Sequence, residues 1–94
     1  MIEVIQRPDF KRTVKKFHAK QKSILKFAIL DIMANPKIGE QKLGKLSDTR
    51  VYKFKILNQL TLLAYSFYEE ELILELIKIG PHENFYRDLE NNIK

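Results

Sequence analysis

His82 and Tyr86, four residues apart just after Gly80-Pro81, are the two side chains whose types and spacing could do chemistry. If a helix starts at the break that Gly80 and Pro81 impose, an i, i+4 pair shares one of its faces, because the helix turns every 3.6 residues. His82 would then sit where unpaired backbone N–H groups and the positive end of the helix dipole gather, a place that attracts phosphate. Imidazole titrates near neutrality and can take or give a proton. The helix start and nearby lysines should lower its pKa, and the ring of Tyr86 could stack on a base. Arg50, Lys53, Lys55 and Lys78 come from the strands expected just before this segment, so the second half reads as a small site for cutting or gripping a nucleic-acid backbone.

Those side chains need a sheet. Ile2 to Gln6 alternate as a short strand, and Arg7-Pro8-Asp9 starts a helix with Pro at an early position and Asp in the first turn. Phe10, Val14 and Phe17 form its apolar stripe. After a soft break near His18 to Gln21, Ile24, Leu25, Phe27, Ala28 and Ile32 continue the helical spacing until Asn35-Pro36 stops it. The expected product is a helical hairpin with Lys11, Lys15, Lys16, Lys20, Lys22 and Lys26 mostly on its solvent side. Lys37 to Ser47 hold two of the three glycines and read as a lysine-rich loop. Three antiparallel strands should follow, at about 50–57, 60–68 and 72–79, with Asn58-Gln59 as one tight turn and Glu69-Glu70-Glu71 in the other. A final helix over 84–91 carries Phe85 and Leu89.

In the strand from Arg50, period two puts Tyr52, Phe54 and Ile56 on one face and Val51, Lys53 and Lys55 on the other. The aromatic face should bury against the hairpin. The lysine face then looks away from it, and Lys78 could join as a third ammonium beneath the final helix. The same spacing serves equally as the solvated face of a half-buried strand, His82 as an exposed cap, Tyr86 as a packing residue and Arg50 as a structural partner of Asp48 or the C-terminus. His18 reads as a surface residue, and Glu69 to Glu71 as a soluble turn at the strand ends opposite Gly80.

Composition limits the rest. Ninety-four residues, 45% hydrophobic and 31% charged, suit a single domain over residues 1–94 with a modest core. No cysteine means no disulfide framework and no thiol chemistry, and two histidines without clustered carboxylates make a dedicated metal site improbable. No apolar stretch approaches the roughly 18 to 20 residues of a membrane span, and no charged start precedes an apolar run, so the expected compartment is the cytoplasm. Net charge is +5, and the excess is N-terminal: Met1 to Ser47 carry eleven Lys or Arg against four acids, Asp48 to Lys94 six against eight. Such a face suits nucleic acid, ribosomal RNA or an acidic protein, and sequence alone does not separate these.

In this order of elements the chain resembles the RelE/ParE superfamily of type II toxins, on the side of its YafQ-like ribonuclease branch. The resemblance covers nearly the whole chain. It rests on the element order, on Val51-Tyr52-Lys53-Phe54-Lys55-Ile56 followed by Leu62-Leu63-Ala64-Tyr65, and on GPHENFYRDL from Gly80 to Leu89, where Gly-x-His with an aromatic four residues later is the most specific feature. The fold it implies is α+β, a largely antiparallel four-stranded sheet with an N-terminal helical hairpin and a short C-terminal helix, in the order β-α-α-β-β-β-α.

The implied function is that of a toxin held inactive by an acidic antitoxin encoded beside it. RelE-like branches cleave messenger RNA on the ribosome without metal or cofactor: the 2′-hydroxyl attacks the adjacent phosphate and leaves a 2′,3′-cyclic phosphate. ParE-like members share the fold but inhibit DNA gyrase, and a third alternative is a non-catalytic corepressor that meets operator DNA only through the antitoxin. Carried over residue by residue, the resemblance makes His82 the catalytic histidine, Tyr86 the stacking aromatic and Lys55 a basic catalytic position. Lys53 falls where several members have a carboxylate, so that base is missing. Where many members place an inward arginine, this chain offers Thr61 or Leu62, which leaves Arg50, Lys78 and Lys45 of the basic loop as candidate RNA-phosphate contacts. No membrane partner is implied.

Overall fold

The computed structural model describes residues 1–93. Runs of alternating and β-branched residues build a five-stranded sheet in the order β1-β5-β4-β3-β2. The strands are β1 (Glu3–Gln6), β2 (Glu40–Gln41), β3 (Arg50–Ile56), β4 (Gln59–Tyr68) and β5 (Ile73–Gly80), and the helices are α1 (Pro8–Lys15), α2 (Ala19–Ala34) and α3 (Phe85–Ile93). β1 runs parallel to β5 and every other pairing is antiparallel. The expected α+β class holds, with one strand more than the four expected. β2 is two residues long and lies inside the segment read as a loop, where no periodicity could develop.

Both sheet faces are covered, which is why β4, the central strand, is buried without interruption from Thr61 to Ser66. On one face Phe10 of α1 and Leu25 and Ile32 of α2 meet Leu63, Tyr65, Leu74, Leu76 and Ile79, with Tyr52 and Phe54 half-buried at the margin. On the other face Phe85 and Leu89 of α3 close over Val51, Leu62, Ala64 and Ile77, joined by Leu46 from a 3₁₀ turn at Gly44–Leu46. The aromatic face of β3 therefore packs toward the hairpin, as its alternation requires. All six lysines of the hairpin are exposed.

Three boundaries differ from the sequence reading. The helical break falls at 16–18, and the His18 backbone N–H donates to Gln21 Oε1 at 2.9 Å, so His18 caps α2. The first hairpin turns at Leu57-Asn58, not Asn58-Gln59: Ile56 pairs with Gln59, and φ is 51° and 71° at the two turn residues. Positive φ at both central positions matches the right-handed strand twist, and asparagine tolerates it better than leucine does. The last helix begins at Phe85. Asn84 at φ 60° turns the chain into it, so His82 lies three residues ahead of the first helical residue instead of at the helix start.

Candidate functional site

The register of the sheet lays out the site. Lys53 is opposite Leu62, and Leu62 is opposite Gly80, so one row runs from the lysine of β3 across β4 to the end of β5 where His82 follows. Lys53 and Lys55 share the face of Val51, the face that α3 covers, yet both remain exposed because α3 lies over Val51, Leu62, Ala64 and Ile77. Glu40 of β2 pairs with Val51 and so stands on the same face.

His82 and Tyr86 do meet, although not as an i, i+4 pair of one helix. Their ring centroids are 5.9 Å apart at 77°, an edge-to-face contact, and Phe85 touches the Tyr86 ring in the same manner at 5.5 Å and 86°. Phe85 is buried, Tyr86 half-buried and His82 exposed, so the buried ring anchors the tyrosine and the tyrosine orients the imidazole. The hydrogen bond from Phe85 N–H to the His82 carbonyl (3.1 Å) fixes the turn that makes this possible.

Two residues absent from the sequence reading complete the cluster. Lys42 Nζ lies 4.9 Å from the centroid of the Tyr86 ring, a cation–π contact, and donates a hydrogen bond to Glu40 Oε1. That bond holds the Glu40 carboxyl below its ordinary range, with Lys53 adding its charge, and raises the Lys42 ammonium above its own range against the cost of its partial burial. The signal that could have found them is the spacing Glu40-x-Lys42 in the basic loop, since i and i+2 share a face once the segment is extended.

The remaining predicted contacts sit elsewhere. Lys78 Nζ is 3.1 Å from Asp9 Oδ2 in the first turn of α1, with its side chain only 15% exposed, so its charge is matched on β5 and does not join the lysines of β3. Arg50 donates to the carbonyls of Gly39 (2.7 Å) and Lys37 (3.2 Å) and to Gln41 Oε1 (3.4 Å). Its guanidinium clamps the segment leading into β2. Lys45 is exposed on the 3₁₀ turn whose Leu46 packs with Phe85 and Leu89.

Tyr65 shares the work of Arg50. Its buried hydroxyl donates to the Pro36 carbonyl at 2.7 Å and accepts from Gly39 N–H at 2.9 Å, and burial pushes its pKa up. A Cβ at position 39 would stand 2.7 Å from that hydroxyl, so glycine is required there by close approach. Tyr65→Phe would leave the Gly39 N–H buried and unpaired, and should destabilise the fold by about 1–3 kcal/mol. Urea unfolding should show a lower midpoint at an unchanged m value; an unaltered midpoint would mean that Arg50 alone holds this segment.

Among the described residues no helix is long and apolar enough to cross a membrane. Residues 4–90 match the family model described as the ParE-like toxin of type II bacterial toxin-antitoxin systems. No curated protein matches the chain. Among solved structures the chain is similar to the toxin in the intact E. coli RelBE toxin–antitoxin complex, at 20% identity and a TM-score of 0.70, over 88% of this chain and 99% of that one. A mutant of E. coli toxin RelE in the free state gives 15% identity and a TM-score of 0.74 over 98% and 93% of the two chains. A conserved hypothetical protein from Helicobacter pylori gives 22% identity and a TM-score of 0.55 over 87% and 96%. At these identities the likeness concerns the fold.

Proposed function

The chain belongs to the ParE-like toxins of type II bacterial toxin–antitoxin systems, and from that premise we propose that it is an endoribonuclease that cuts messenger RNA on the ribosome. The observation that carries this reading is the exposed His82 imidazole, oriented by Tyr86 at the end of the row that begins with Lys53. A surface that only bound protein would have no need of an imidazole fixed beside cations. RNA brings its own nucleophile. In the proposed step the 2′-oxygen bonds to the adjacent phosphorus while the bond from phosphorus to the 5′-oxygen breaks. The 2′-hydroxyl proton passes to a base and another proton goes to the departing 5′-oxygen, leaving a 2′,3′-cyclic phosphate and a 5′-hydroxyl.

His82 serves one of the two proton transfers, because an imidazole nitrogen can take a proton or give one. Lys53 and Lys55 stabilise the charge that builds on the phosphorane. Tyr86 holds His82 and stacks on a neighbouring base. Arg50, placed among backbone carbonyls, acts by shaping the segment that carries Glu40 and Lys42, and Lys78 is held by Asp9. The partner is an acidic antitoxin segment laid over the lysine face, as opposite charge speeds encounter; the RelE relative was solved with its antitoxin.

Inhibition of DNA gyrase is the second reading, favoured by the family model that matches, which is the ParE-like one. Induced expression followed by primer extension on a reporter message separates the two. Cuts within translated codons are expected, and intact messages with falling gyrase activity would establish the second reading instead.

A further inference from the structure

The pair Glu40–Lys42 has no part in proton transfer as described, yet its lysine lies on the Tyr86 ring and its glutamate, paired with Val51, shares a sheet face with Lys53 two residues further along β3. Its two members differ in cover. The Lys42 side chain is 20% exposed and lies on the Tyr86 ring, whereas the Glu40 side chain is 67% exposed. The cation is therefore held by both the ring and the carboxylate, whereas the carboxylate is held by the cation and otherwise faces solvent. Lys42 is fixed from the backbone as well, since its N–H donates to the Thr49 carbonyl at 3.0 Å and continues the pairing of β2 with β3 by one residue.

Resting on the ribonuclease reading, we infer that Lys42 and Lys53 form a second phosphate-binding subsite for the RNA backbone, one step along the strand from the scissile phosphate, and that Glu40 closes it by standing where a phosphate oxygen would bind. A carboxylate held by one ammonium and attracted by a second has the charge and the oxygen acceptors of a phosphodiester in the same place. An incoming phosphate displaces Glu40 outward into water, where its exposure already puts it, while the Tyr86 ring keeps Lys42 in position. Single small anions gain little from this exchange. A polyanion already held at His82 and Lys55, with Lys53 standing between two successive phosphates, presents its next phosphate at high effective concentration and completes the subsite. Glu40 so favours a continuous RNA strand over isolated anions.

The test measures binding of a short 2′-O-methyl RNA, which lacks the attacking hydroxyl and is not cut, to the full chain across a range of salt. Lys42→Ala should weaken binding and reduce the slope of log affinity against log salt by about 0.7, the contribution of one phosphate contact on a single strand. Glu40→Gln should tighten binding, and the gain should shrink when it is introduced into Lys42→Ala. Removing any acid raises affinity for RNA somewhat through long-range charge, so the double-mutant cycle is the discriminating measurement. An equal gain from Glu40→Gln with and without Lys42, or an unchanged slope in Lys42→Ala, would overturn the subsite while the wild-type chain still bound RNA. If the wild-type chain does not bind the RNA, the subsite falls, whereas the ribonuclease reading stands or falls separately on the cuts found by primer extension. Both positions are at the surface, and matching thermal unfolding of all four proteins confirms that the fold is common to them.

Discussion

His82→Ala should lower the rate of message cleavage by about 100-fold to 10,000-fold, the usual contribution of a positioned acid or base. The large effect follows from there being no second imidazole to take over, since His18 caps α2 far along the chain. Stability should be unaffected. The His82 ring is exposed and edges onto Tyr86, while the apolar cluster beneath is held by Phe85 and Leu89. Single-turnover cleavage on purified ribosomes, with thermal unfolding and antitoxin binding as folding checks, measures the change. Full activity in His82→Ala would end the mechanism. Tyr86→Phe is the companion control, because it keeps the ring that touches His82 and Lys42 and removes only the hydroxyl. Activity close to normal would confine Tyr86 to positioning, and His18→Ala should be neutral in the same assay.

Lys53→Ala and Lys55→Ala carry the second largest expected effect. Each ammonium is exposed on the face of β3 that carries Val51, so truncation removes charge without opening the core. A donor aimed at charge that develops only in the transition state contributes about 2–4 kcal/mol in other enzymes, which is roughly 30-fold to 1,000-fold in rate. The loss should fall on the rate at saturating message. A rise in KM with kcat unchanged would show that the two lysines grip ground-state phosphate equally well and do not favour the transition state. Lys53 should show both components, because it also shares a sheet face with Glu40, which pairs with Val51 two residues before it.

Much of this arrangement was legible in the chain because it depends on local periods. The alternation from Arg50 to Ile56 sorts Tyr52 and Phe54 from Lys53 and Lys55 whatever the strand pairs with, since successive side chains must point to opposite faces. Pro8, Asn35-Pro36 and Gly80-Pro81 punctuate the elements through backbone chemistry that acts within a few residues. The spacing of His82 and Tyr86 set the two rings side by side, and they do meet, although through a turn and a ring contact and not on one helical face.

Contacts between distant segments belonged to the tertiary structure. Lys42, with Glu40 bonded to it, reaches Tyr86 because Arg50 and Tyr65 gather the backbone between Pro36 and Gln41 onto the edge of β3, across 11 to 29 residues of chain. Lys78 is withdrawn by Asp9, 69 residues earlier, because β1 inserts beside β5 and delivers the start of α1 to that strand. A two-residue strand has no period to detect, and an ion pair has none either: which ammonium a carboxylate meets is set by the path of the backbone and by what else each charge can find. The sequence by itself determined the elements, their faces and the residues capable of chemistry, through sterics that act between near neighbours. The tertiary structure alone decided which cations stand free at the site and which are matched elsewhere, because charge pairing depends on distance in space and not along the chain.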